Sequence, residues 1–82
     1  MKTYSVTVDT TTNSCSCFVV NAKADYAVHS DYNENSFGIV LEADNERSAI
    51  ISADNYFKSY IMKSAEKKYK KVSDILAKQI KR

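Results

Sequence analysis

The sequence predicts an α+β fold: three or four antiparallel strands over residues 3–43, packed against one long or two shorter helices in the C-terminal half. Two patterns carry this expectation. Residues 3–9 alternate strictly, with Tyr4, Val6 and Val8 on one face and Thr3, Ser5 and Thr7 on the other, the period of a half-buried strand. From residue 45 the period changes. Ala49, Ala53, Phe57 and Ile61 step by four, and no Gly or Pro interrupts the chain from there to Arg82. The two halves form one domain, 1–82, because a chain of 82 residues buries enough surface for one modest core and no second.

Each element has a local reason. Thr10-Thr11-Thr12-Asn13-Ser14 is polar turn chemistry, so Cys15–Asn21 should return antiparallel to the first strand. Ser30–Ser36 is the most loop-like stretch, and Phe37–Ala43 follows as a strand centred on Ile39, Val40 and Leu41. Residues 24–29 read two ways. Tyr26 and Val28 alternate as in a strand, whereas Ala24, Ala27 and Val28 would line one side of a short helix; the β preference of Tyr and Val favours a strand.

Asp44 or Asn45 can cap the helical half, and Glu46 suits the positive end of its dipole. Ala65, Tyr69, Val72, Leu76 and Ile80 continue the apolar stripe in phase. A continuous helix over 45–82 would be about 57 Å long, against a diameter of about 30 Å for a domain of this size. It therefore breaks and folds back, with Ser64 or Ser73-Asp74 as second caps, or packs its far end on something else.

Composition removes function classes. One Gly and no Pro leave no material for a phosphate-binding loop, a dinucleotide fingerprint or a nucleophile elbow, each of which needs several glycines. His29 is the single histidine. Cys15 and Cys17 lie too close for an unstrained disulfide. With His29, and Asp25 or Asp31 as a conceivable fourth, they match no common zinc spacing and read as small residues buried on one strand face. Neither an enzyme nor a cofactor is expected. The N-terminal residues alternate rather than run apolar as a secretory leader does, and no run reaches the ~18 residues of a membrane span. The expectation is a cytoplasmic protein that does not contact membrane.

Charge divides the chain. Residues 63–82 carry eight Lys and Arg against Glu66 and Asp74, net +6, while residues 1–62 carry four basic against eight acidic groups, net −4. Three surfaces follow as candidates. The basic end, through Lys63, Lys67, Lys68, Lys70 and Lys71, can attract nucleic acid by counterion release; the alternative is an ordinary solvated helix face. The acidic residues Asp25, Asp31, Glu34, Glu42, Asp44 and Glu46 fall in or beside strand-end turns, where they could form one negative rim. Val72, Leu76 and Ile80 could seal a homodimer. Of six tyrosines, Tyr4, Tyr26 and Tyr60 are expected in the core, and Tyr32, Tyr56 and Tyr69 are candidate contact residues, since interfaces favour Tyr.

The passage Val40-Leu41-Glu42-Ala43-Asp44-Asn45-Glu46 leading into Ala49-Ile50-Ile51-Ser52-Ala53 resembles a strand-to-helix unit of small phage-encoded anti-CRISPR proteins. That resemblance, of size and architecture, implies a non-catalytic inhibitor of a host nuclease or nucleoprotein surveillance complex, acting in the host cytoplasm. Its contact surface would be the acidic loops, with Asp31, Tyr32, Glu34, Asp44 and Glu46 on a larger protein or nucleoprotein complex. The rival reading is a nucleic-acid-binding accessory or regulatory protein working through residues 63–82.

Overall fold

The computed structural model describes residues 1–32, 35–62 and 66–80; Glu34, Lys63, Ser64, Ala65, Lys81 and Arg82 lie outside them. Four strands, β1 (Lys2–Asp9), β2 (Ser14–Val19), β3 (His29–Ser30) and β4 (Ser36–Ala43), precede two helices, α1 (Glu46–Ile61) and α2 (Glu66–Ile80). The strands form one antiparallel sheet in the order β2-β1-β4-β3.

The alternation in β1 does what its period requires. Tyr4, Val6 and Val8 pair with Leu41, Ile39 and Phe37 of β4 and with Val19, Cys17 and Cys15 of β2, all on the face the helices cover. The opposite face carries Thr3, Ser5 and Thr7 beside Ser16, Phe18, Gly38 and Val40. The β1–β2 turn closes on Asp9, whose Oδ1 accepts the N–H groups of Thr11 (2.8 Å) and Thr12 (3.4 Å). Asn13 takes the left-handed conformation there (φ 52°), which Asn tolerates better than most residues.

Asn45 caps α1: its side chain accepts the Ser48 N–H at 2.9 Å while its carbonyl takes the Ala49 N–H at 3.0 Å. Ala49, Ile50, Ala53, Phe57 and Ile61 then face the sheet, and Phe57 is fully buried. The helical half is two helices, and the longest dimension of the molecule is 32 Å. α2 runs back along α1, placing Tyr69 beside Asp54 near one end and Gln79 and Ile80 beside Glu46 and Ile50 at the other. Its face of Val72 (0% exposed), Ile75 and Leu76 (1%) completes the core. Val72 and Leu76 are therefore inside the domain and cannot seal a homodimer, and Ile80 packs against the same core.

Residues 24–28 are not a strand, and β3 is reduced to His29–Ser30. Tyr26 sits in the left-handed region (φ 53°), which a strand cannot accommodate, and the N–H groups of Asp25 and Tyr26 both go to the Val40 carbonyl instead of alternating along a ladder. Asp25 holds the bend by accepting the Ala27 N–H (3.2 Å) and pairing with His29 Nε2 (2.9 Å). That imidazole contact, followed by the Ala27 N–H, keeps the Asp25 carboxyl below its ordinary range. Tyr26 and Tyr60 are correspondingly not core residues: they are 44% and 40% exposed. Each has a structural contact, Tyr26 through its ring on Tyr56 (5.8 Å) and its hydroxyl accepting the Glu42 N–H, Tyr60 through its ring edge-on to Phe37 and its hydroxyl to Ser30 Oγ (3.2 Å).

Candidate nucleic-acid interface

The helix α2 is amphipathic by charge as well as by hydropathy. With Val72, Ile75 and Leu76 buried, the 100° step per residue puts Lys67, Lys70 and Asp74 on the opposite side and Lys71 and Lys78 on the flank next to them, all exposed. Lys67, Lys71 and Lys78 share nearly one line, at spacings of four and seven, and Lys70 flanks them. The line is about 16 Å long at 1.5 Å per residue. Laid along one strand of a duplex, with phosphates every 3.4 Å along the axis, it spans about five of them.

These four lysines make no ion pair among the described residues. Lys68, predicted with them, is half-buried on the inward flank and has a contact of its own, so it does not belong to the exposed line. Lys78 does belong to it, and its spacing from Lys71 was the available signal. Lys58 of α1 adds a further cation: with Lys67, Lys70, Met62, Tyr69, Ser73 and Asp74 it lines an open cleft of about 540 Å³ between the helices. The Tyr69 hydroxyl donates to Asp54 Oδ1 at 3.1 Å. Burial raises the Tyr69 phenol pKa first; a hydrogen bond with Ser73 opposes it, and the Asp54 charge and hydrogen bond add to the rise, so this donor keeps its proton.

Among the described residues, the acidic groups do not all assemble into one rim; Glu34 lies outside the described residues. Asp31 precedes β4 and Asp44 and Glu46 follow it, and eight strand residues hold the two groups about 23 Å apart along the sheet. Asp31 is also engaged in the fold: its Oδ1 accepts the N–H groups of Asn35 (2.7 Å) and Ser36 (3.2 Å), and its own N–H donates to the Ser36 carbonyl. Asp44 is exposed, and Glu46 lies in the first turn of α1. Tyr32 stands fully exposed beside the clamped Asp31.

Cys15 and Cys17 are half-buried free thiols on β2, at the far edge of the sheet from His29 on β3. Three strand spacings, about 14 Å, separate the two sites, so they do not converge on one ion. Burial, then the Glu46 carboxylate and Cys15, push the Cys17 thiol up to about 11. We expect Cys17 in the folded protein to alkylate on the order of a hundredfold more slowly than an unfolded cysteine near pH 8, its rate rising until about pH 11; equal rates would contradict this environment.

Comparison with family models, curated proteins and solved structures returned no match for this chain. No helix among the described residues is long and apolar enough to cross a membrane.

Proposed function

We propose that the protein is a non-enzymatic binding module that engages the phosphate backbone of nucleic acid, free or displayed in a nucleoprotein assembly, through the exposed lysine line of α2. One observation carries the proposal. The acidic residue Asp31 and the tyrosines Tyr26, Tyr60 and Tyr69 have hydrogen bonds within the fold, whereas Lys67, Lys70, Lys71 and Lys78 share one exposed face with no ion pair among the described residues. Lysines contact phosphate as point charges, and base reading falls mainly to Arg, so the binding is weakly sequence-specific. Changing all four lysines to Gln, which keeps helix propensity, tests this in an anisotropy titration with labelled duplex DNA and single-stranded RNA.

A second reading rests on Tyr32. A fully exposed aromatic, on a loop whose base is clamped by Asp31, is the geometry of an anchor for a larger protein. Under this reading the chain is an anti-CRISPR-like inhibitor of a nuclease or surveillance complex. The two separate on substitution: Tyr32→Ala abolishes binding under the second and leaves nucleic-acid affinity unchanged under the first.

A further inference from the structure

The two edges of the sheet differ in how they meet solvent. At one edge β3 has two residues, is bracketed by Asp25, His29 and Asp31, and gives way to the bent segment at Tyr26. Short strands, charges and bends are the devices by which proteins keep an edge from pairing with another chain. The strand β2 has six residues, no charged side chain of its own and no bend; the charges beside it, Glu46 and Lys78, come from the helices. Residues 10–22 form the longest uncharged run in the chain, contain no Pro, and include Phe18 and Val19, each 54% exposed.

The ladder shows which backbone groups this edge offers. Val20 N–H donates to the Thr3 carbonyl, so the even-numbered residues of β2 bond inward to β1. Cys15, Cys17 and Val19 consequently turn their N–H and C=O groups outward. A second β2 strand laid antiparallel about a two-fold axis at Cys17 presents the same three residues in return. Cys17 then faces Cys17, and Cys15 faces Val19 in both directions, so all the outward groups of the three residues find partners. Neighbouring registers centred on Ser16 or Phe18 leave some of them unpaired within the strand. β2 itself carries no charged side chain, and on the outer face each Phe18 packs over Ser16 of the second copy; the charge nearest the axis is Glu46, beside Cys17 on the helix-covered face.

We propose that β2 is a self-association edge, joining two copies of this chain through antiparallel β2–β2 pairing centred on Cys17, so that two four-stranded sheets become one continuous sheet. This inference is distinct from the lysine reading, since the groups that pair are the backbone of β2, although Lys78 and Gln79 of α2 lie beside Asn13, Ser14 and Cys15.

Sedimentation velocity on the purified chain, without nucleic acid, from micromolar to millimolar concentration is the test. Wild type is expected to pass from monomer to dimer across that range. Cys17→Pro, which removes an N–H the monomer does not use, and Phe18→Lys, which adds the missing edge charge, are expected to remain monomeric with unchanged circular dichroism. Should Cys17→Pro fail to fold, Phe18→Lys decides alone. Register is read by oxidation with copper phenanthroline. The Cys15→Ser variant should form a disulfide-linked dimer through Cys17, because Cα atoms of such a pair lie about 5.5 Å apart. The Cys17→Ser variant should not, because the two Cys15 residues stand about 14 Å apart. A wild type monomeric throughout, a dimer untouched by Phe18→Lys, or crosslinking through Cys15 as efficient as through Cys17 would overturn the proposal.

Discussion

Leu76→Asp should abolish the cooperative unfolding transition, leaving a chain unfolded at 25 °C. Leu76 is 1% exposed and packed in the core that also holds Val72, Ile75 and Phe57. Truncating such a leucine to Ala costs about 2–5 kcal/mol. Leaving a carboxylate in the same apolar site adds several kcal/mol more, since among the described residues the core holds no buried polar or charged group to receive it. A domain of 82 residues has about 4–12 kcal/mol in total. Ala77→Asp, one position along and exposed, is the control and should change stability by less than about 1 kcal/mol. Circular dichroism with urea titration distinguishes them. A folded Leu76→Asp chain with altered association would place Leu76 at a surface and contradict the α2 packing.

The second large effect is on binding. If Lys67, Lys70, Lys71 and Lys78 each neutralise a phosphate, their joint replacement by Gln removes the electrostatic term that supplies nearly all non-specific affinity, and binding at low salt is lost. The loss should be uniform across DNA sequences, because phosphate contacts carry no base information. Replacing Lys71 alone should lower the slope of log affinity against log salt by about 0.9 and leave fold stability within about 0.5 kcal/mol, since the residue is exposed. Undiminished binding by the fourfold variant would remove α2 as the site.

How far the sequence disclosed this structure depended on whether a local pattern had one structural cause. β1, β2, β4 and the start of α1 lie within two residues of their predicted bounds, because strict alternation rarely arises outside a strand and the Asn45 pattern rarely outside a helix start. Residues 24–28 failed that condition: the alternation of Tyr26 and Val28 came from a bent segment with a left-handed residue, held by an Asp25 side chain and a shared carbonyl. The stripe from Ala49 to Ile80 keeps its phase whether the helix continues or folds back, so phase alone did not separate the two. It equally did not show that Val72 and Leu76 would serve the same core as Phe57, since an apolar face looks identical whether it covers its own sheet or another copy.

The candidate site was legible in part for a similar reason. Lys67, Lys70 and Lys71 are exposed as expected, because lysine on a helix is placed by the apolar face opposite it. Lys68 was separable from them only once the buried direction was set by Val72 and Ile75. The acidic residues misled because backbone hydrogen bonding, the role Asp31 and Asp9 fill, leaves no trace in composition.

The salt dependence of nucleic-acid binding by the wild-type chain tests the central claim most directly. Four neutralised phosphates predict a slope of about −3.6, hence a fall in affinity on the order of a hundredfold between about 50 and about 200 mM salt on duplex DNA. Absence of binding at the lower salt, or binding whose affinity is the same at both, would contradict an interface built from the lysines of α2.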